Sequence, residues 1–330
     1  MNFGTLKSSF PRRKALFYCS PERPEFNSGP VAAPLGEYMV RIQFAIDLHY
    51  ELTYPGTDFV FNIHAATTHA QTIVSEQLHV SQQVLTTTAN DPARSARYLR
   101  LTGAPGPLHV TYQATVDIEH HVGNPDQIAE TQVAQLPLAV LNYIYPSRYC
   151  QSDRLGVLAM REFGLLPKGY RRVEAIQNWV RRNVTFKSNT SNSATSALDT
   201  LTDGVGVCRD FAHLMIALCR ALSIPARFAT GIDYGADPLL GPTDFHAYVE
   251  VFLDGRWYIF DPSGTAIPMG FVRLGTGRDA ADVSYATIFG SVISPPPQIS
   301  VCAITEHGRP WELPRHRLEA LSTDSAVNAI

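Results

Sequence analysis

The stretch DGVGVCRDFAHLMIALCRALSIP, residues 203–225, constrains this chain more than any other. A glycine-rich turn leads straight into a run in which Phe211, Leu214, Met215, Leu218, Cys219 and Leu222 recur at helical spacing. They make one wide apolar face. Pro225 stops the run, and ARFATGI after it has the composition of a strand. A helix with such a face has to bury it against a sheet or against other helices, so it is the expected centre of a core. Cys208 stands at the first turn of that helix. Unpaired backbone N–H groups and the helix dipole favour an anion there, which is a setting for a thiolate. Gly204 and Gly206 allow a tight approach just before it and leave the sulfur accessible. A lone cysteine is ordinarily a small, inert hydrophobe. That description suits Cys219, eleven residues on and inside the apolar face. Cys208 differs by position alone.

A thiol nucleophile needs a base to poise it and a third group to orient the base. The segment FHAYVEVFLDGRWYIFDP supplies both by its register. Asp254-Gly255 reads as a two-residue hairpin turn, which pairs Leu253 with Arg256. Extending that ladder puts His246 opposite Ser263, with Asp261 a diagonal neighbour on the same face, close enough for the two side chains to meet. Alone, a histidine at a strand start is unremarkable and Asp261-Pro262 is a turn opener. Together with Cys208, in the order Cys, His, Asp, they form a coherent set.

Elsewhere the chain changes texture once. From Met39 to about His121 it alternates with period two. Val40, Ile42, Phe44, Ile46 and Leu48 share one face, and turn signals fall at YPGT, NDP and GAPGP. This predicts an antiparallel β-sandwich over 39–135, whose paired His120 and His121 are expected to face solvent. Residues 136–307 then carry helical patterns, among them Val173, Ile176, Trp179 and Val180, before the strands. The fold class expected is α+β: the sandwich, then a central helix bearing Cys208 on an antiparallel sheet. Residues 1–38 have no sustained period and no apolar run of the kind a secretory signal requires, so they read as a flexible leader, with Met39 an alternative start. Residues 308–330 read as a flexible tail.

Composition removes whole classes of function. A net charge of −3 with 17% charged residues gives no basic excess for nucleic acid or membrane surfaces. No stretch approaches the roughly 18 apolar residues of a membrane helix. The five cysteines are scattered and odd in number, without C-x-x-C, which argues against a disulfide framework or zinc ribbon and points to reduced thiols in a cytoplasmic protein. No metal-ligand spacing occurs, so no cofactor is expected.

The blocks GVGVCRDFAHLMIALCRALSIPARFATG, DFHAYVEVFLDGRWYIFDPSG and VRLGTGRDAADVSYATIFG closely resemble the bacterial transglutaminase-like family, whose members are often described as cysteine proteases. The resemblance runs over about residues 40–305, the β-rich region being similar to the N-terminal domain these proteins usually carry. It implies a papain-like core in which Cys208 is the nucleophile, His246 the general base and acid, and Asp261 the orienting carboxylate. Family members usually have Trp where Tyr248 stands and Thr where Ser263 stands; neither departure touches the triad.

Further site positions follow from the same blocks. The backbone N–H of Cys208 is an expected oxyanion donor. Thr202, Asn192 and Ser193 are candidates for the second, and Tyr248 is a candidate site-lining residue. Asp210 is a helix-start charge that also opposes a thiolate, with Arg209 as counter-charge. His213, five residues from Cys208 and about 140° round the helix, is read as structural. Segment 277–283 is read as a charged turn that is a candidate for the cleft wall. The implied chemistry is acyl transfer from a peptide or protein amide through a thioester. A hydrolase is expected, because no aromatic residue lies between Lys187 and Val207 to keep water from the thioester. A transglutaminase-type acyl transferase and a non-catalytic binding module on this fold are the alternatives. Oligomeric state is not encoded in any feature of the sequence.

Overall fold

The alternation from Met39 onward produces long strands. The computed structural model describes residues 38–53, 56–235, 243–305 and 311–327; the expected leader, apart from residue 38, and the loop at 236–242 lie outside them. The first strands are β1 (Tyr38–Leu52), β2 (Thr57–Phe61), β3 (Gln71–Val80), β4 (Thr86–Asp91), β5 (Ala96–Gly103) and β6 (Gly106–Gly123). β1 pairs antiparallel with β6 along its whole length, from Tyr38 opposite His120 to Leu52 opposite Gly106. Val40, Ile42, Phe44, Ile46 and Leu48 are all buried on one face, as their alternation requires. They meet Phe59, Phe61 and Leu99 of the facing sheet, built on β2, β5 and β4. His120 departs from expectation. It belongs to the inward series with Val116 and Ile118 and is fully buried, whereas His121 faces out.

The second region continues with α1 (Leu138–Leu141), α2 (Gly156–Phe163), α3 (Tyr170–Asn183), β7 (Thr185–Phe186), α4 (Ala197–Asp203), β8 (Val205–Gly206), α5 (Cys208–Ala221), β9 (Ala226–Asp233), β10 (His246–Leu253), β11 (Arg256–Phe260) and β12 (Phe271–Gly277). The strands form an antiparallel sheet in the order β11-β10-β9-β12. α5 lies against it, with every residue from Phe211 to Arg220 buried, and α3 covers α5 with Val173, Ile176 and Val180. The architecture is α+β. In the hairpin turn Asp254 and Gly255 both have positive φ, 46° and 75°, the geometry that matches strand twist.

The C-terminal stretch corrects the expected boundaries at 307 and 308. Strands β13 (Ala286–Phe289), β14 (Val292–Ile293), β15 (Gln298–Ile304) and β16 (Ala320–Ser322) return to the N-terminal sheets. β13 pairs with β2, β14 and β15 with β1, and β16 with β6. The free edge of β1 presents backbone donors and acceptors that need partners, and β15 supplies them from Arg41–Ile304 to Asp47–Gln298. The tail is anchored as well. Ala320, Leu321, Ser322 and Thr323 are buried, and the Asp324 carboxylate closes a buried cluster with Arg227, Arg273 and Glu250.

That cluster yields a stability prediction. Arg227 and Arg273 are almost wholly buried, so taking Asp324 away leaves two guanidinium groups to one Glu250 carboxylate. Asp324→Ala is expected to cost about 3 kcal/mol, the usual penalty for stranding a buried charge. Chemical denaturation measures it; a loss below about 1 kcal/mol would mean the tail contributes no needed counter-charge.

Candidate active site

The position of Cys208 is assembled by short-range geometry. α4 ends at Gly204, whose φ of 66° is the left-handed C-cap conformation. The chain then runs through β8, where a Cβ on Gly206 would lie 2.8 Å from the Asp210 Cβ, so only glycine fits beneath the helix start. Val207 is extended, and Cys208 is the first residue of α5. Its side chain is half-buried, while Cys219 is completely enclosed and its thiol is pushed strongly up by burial.

His246 opens β10, opposite Gly231 of β9, and is 8% exposed. The hairpin register is the expected one: Leu253 pairs with Arg256 and Val249 with Phe260. The ladder ends there, and Asp261 leaves the strand with its carboxylate turned back to the imidazole. Asp261 Oδ1 lies 3.5 Å from His246 Nε2. The carboxylate is held by the backbone N–H and hydroxyl of Ser263, at 3.0 and 2.6 Å, and by the N–H of Ala266 at 3.1 Å. Arg181 donates to the Asp261 carbonyl and pins the backbone.

The electrostatics follow from this enclosure. Burial alone would lower the His246 pKa. The Cys208 and Asp261 charges beside the ring outweigh it and hold the imidazolium well above the ordinary histidine range. Burial would raise Asp261, but the nearby His246 charge, with the hydrogen bonds from Ser263 and Ala266, brings it below the usual carboxylate value. With Nε2 turned to Asp261, Nδ1 is left on the opposite side of the ring, towards Asp233.

Cys208, His246, Asp261 and Tyr248 are therefore brought together. The Tyr248 ring packs edge-on to His246 at 4.6 Å between centroids, fully buried, and its hydroxyl has no hydrogen-bond partner. Burial, then the charges of Asp233, Asp261 and Cys208, keep that phenol protonated. Other candidates are engaged elsewhere. Asp210 is fully buried and accepts from the Val207 N–H at 2.9 Å, while Arg209 reaches its other oxygen at 3.3 Å; it caps the helix. Asn192 is exposed, its carbonyl accepting from Arg209 and its side chain from the Ala194 N–H. Ser193 is likewise exposed, with its carbonyl accepting from the Tyr149 hydroxyl. Thr202 bonds back to Leu198 within its own helix and borders a hollow of about 540 Å³ with Arg148, Tyr149 and Arg154, which Cys208, His246 and Asp261 do not line.

His213 is enclosed on the far side of α5, stacked on Tyr149 and accepting from the Ala280 N–H through Nε2. Burial, then nearby Arg209 and Arg220, keep it neutral. Segment 277–283 thus docks on α5 through His213 and Arg220. Sequence reasoning passed over Asp233, which lies beside His246. An acid ending the apolar strand ARFATGID was its signal, but the β9–β10 register that gives it meaning is not local.

Residues 161–262, which contain Cys208, His246 and Asp261, match the transglutaminase-like superfamily, and residues 40–139 match the bacterial transglutaminase N-terminal domain. A solved structure from Cytophaga hutchinsonii, reported as "a Putative Cysteine Protease", is 37% identical, covers 87% of this chain and 99% of its own, and superposes with a TM-score of 0.79. The chain belongs to the transglutaminase-like superfamily. It is thereby placed in a family of cysteine-dependent enzymes with an N-terminal β domain. Among curated proteins it is similar to an uncharacterised protein of Mycobacterium leprae, 32% identical over 117 residues, and to one of Mycobacterium tuberculosis, 31% over 125 residues. Each match takes in 34% of this chain, which spans 42% and 40% of those relatives.

Proposed function

We propose that the protein is a cysteine hydrolase of peptide or protein amides, working through Cys208, His246 and Asp261. The observation that carries this reading is the His246 imidazole held between the Asp261 carboxylate and the thiol at the start of α5. The Cys208 thiolate attacks the amide carbon, and the carbonyl oxygen takes the negative charge. The Cys208 N–H, unused by the helix at its first turn, stabilises that oxyanion. The Tyr248 hydroxyl, buried and without a partner, is the second donor in this reading. His246 passes its proton to the departing nitrogen, the C–N bond breaks, and a thioester remains. His246 then takes a proton from water as the water oxygen bonds to the acyl carbon. The C–S bond breaks, the acid leaves, and thiolate and imidazolium are restored.

Aminolysis of the thioester is the second reading. It draws on the stacked Phe245–Tyr285 pair, 4.3 Å between centroids and adjoining His246, an aromatic wall contributed from outside the 187–207 loop. The test is an acyl donor supplied with a fluorescent primary amine at millimolar concentration, both products being quantified. Hydrolysis is expected to dominate by about tenfold, since water reaches a half-buried sulfur flanked by a polar loop. Predominant amine incorporation would assign the transferase instead. No turnover, with no selective labelling of Cys208 by a thiol probe, would point to a binding module.

A further inference from the structure

Asp233 ends β9, two residues past the Gly231 that pairs with His246. Its side chain is 2% exposed. Oδ1 lies 4.0 Å from His246 Nδ1, the ring nitrogen opposite the one that Asp261 approaches. Among the described residues Oδ2 has no hydrogen-bond partner. Among the described residues no arginine or lysine pairs with this carboxylate. A buried carboxylate in that condition is expensive to keep, and it calls for an explanation in function. The catalytic steps above leave it without one.

The charges around the ring define what it can do. Cys208 faces the imidazole from α5, Asp261 from beyond β11, Tyr248 from β10, and Asp244 from the approach to β10. Asp261 and Asp233 stand at the two ring nitrogens, so an imidazolium, which carries N–H on both, has a carboxylate towards each. A neutral ring keeps only the proton on the nitrogen turned towards Asp261. Its bare Nδ1 then faces Asp233, whose negative charge draws a proton back to that nitrogen.

We propose that Asp233 is a positioning residue for the general base: from the Nδ1 side it holds the His246 ring in place beside Cys208 and favours return of the proton to Nδ1. Asp261 orients the ring from one side and Asp233 completes the constraint from the other. The effect falls mainly on deacylation, where neutral His246 must take a proton from water. Burial, and then the Asp261 charge, raises the Asp233 pKa, while the His246 charge opposes that rise; the same coupling acts on the imidazole in reverse.

The inference rests on His246 being the base, so the test reads the charge of the ring without requiring turnover. The His246 ring carbon–proton resonances are titrated in the full chain as wild type, Asp233→Asn and Asp261→Asn. In Asp233→Asn the imidazolium is expected to lose its proton about tenfold more readily, one unit lower in pH. If an amide or ester substrate is turned over, kcat falls with it by about tenfold while KM holds, and the alkaline limb moves down in step. The melting temperature is expected to hold or rise, because an unsatisfied buried charge has been removed. A purely structural Asp233 would do the opposite, lowering the melting temperature and leaving the titration unmoved. A His246 midpoint within twofold of wild type overturns the proposal. Should Asp233→Asn fail to fold, wild type labelled at the aspartate carboxyl carbons decides the matter. The Asp233 signal must then show an inflection at the His246 midpoint, and a flat trace there overturns the proposal. Absence of turnover on every acyl donor would sink the hydrolase reading but leave this titration decisive.

Discussion

Cys208→Ala is expected to remove acyl-donor turnover by at least about 10⁴-fold, the scale on which losing a covalent nucleophile acts, with the fold intact. The sulfur is half-buried at the first residue of α5, and the helix is held by the buried face that starts at Phe211. Truncating it therefore opens no enclosed cavity. Cys219→Ala is the control in the same helix. That sulfur is wholly enclosed, so its loss should cost about 1 kcal/mol in lost transfer energy and cavity formation while leaving the rate constants alone. Steady-state kinetics and thermal melts on both variants check the pair. Substantial activity in Cys208→Ala would mean the nucleophile is another group.

The second large effect belongs to the imidazole and its carboxylate. His246→Ala should be about as damaging as loss of the thiol, because residues that act as a unit are not additive. Asp261→Asn should be milder, about 10²–10⁴-fold in kcat, since the ring persists but loses its orienting charge. The two differ most clearly in pH dependence. His246 is held protonated above the ordinary histidine range in part by Asp261, so Asp261→Asn should move the alkaline limb of kcat/KM to lower pH. Stability obeys the same linkage. The raised His246 pKa contributes stability that is complete below the unfolded histidine value and is lost as pH climbs through the folded one. The lowered Asp261 pKa contributes stability present above the unfolded carboxylate value and lost as pH falls through the folded one. The wild type's advantage over Asp261→Asn in denaturation should thus be greatest between those limits. An alkaline limb that stays in place would falsify the coupling of Asp261 to the base.

These effects were partly readable before any coordinates. The apolar spacing of α5, the alternation of β1 and the Asp254–Gly255 turn are each written in neighbouring residues. They led to the buried helix, the inward face from Val40 to Leu48, and the register in which Val249 meets Phe260. Because that register runs toward His246 and Asp261, two of the proposed triad residues could be brought near each other from sequence alone. Cys208 joined them through its position at a helix start.

Contacts made between distant parts of the chain were not readable. β15 reads as part of the region that precedes it, yet it completes the edge of β1, and the segment from Ala320 to Asp324 reads as part of a flexible tail although Asp324 neutralises buried arginines. Thr202 and Asn192 precede Cys208 in sequence, but their hydrogen bonds close within α4 and within the loop. Asp233 and Tyr248 gain their meaning only from the packing of β9 and β10 around one imidazole. The sequence by itself determined the helix, the hairpin and the chemical types at the site, because periodicity and turn preference act over a few residues. Tertiary structure alone decided which strand fills which edge, which polar groups stay unsatisfied and which charges share a ring, because those depend on distances between segments that the chain's local pattern does not encode.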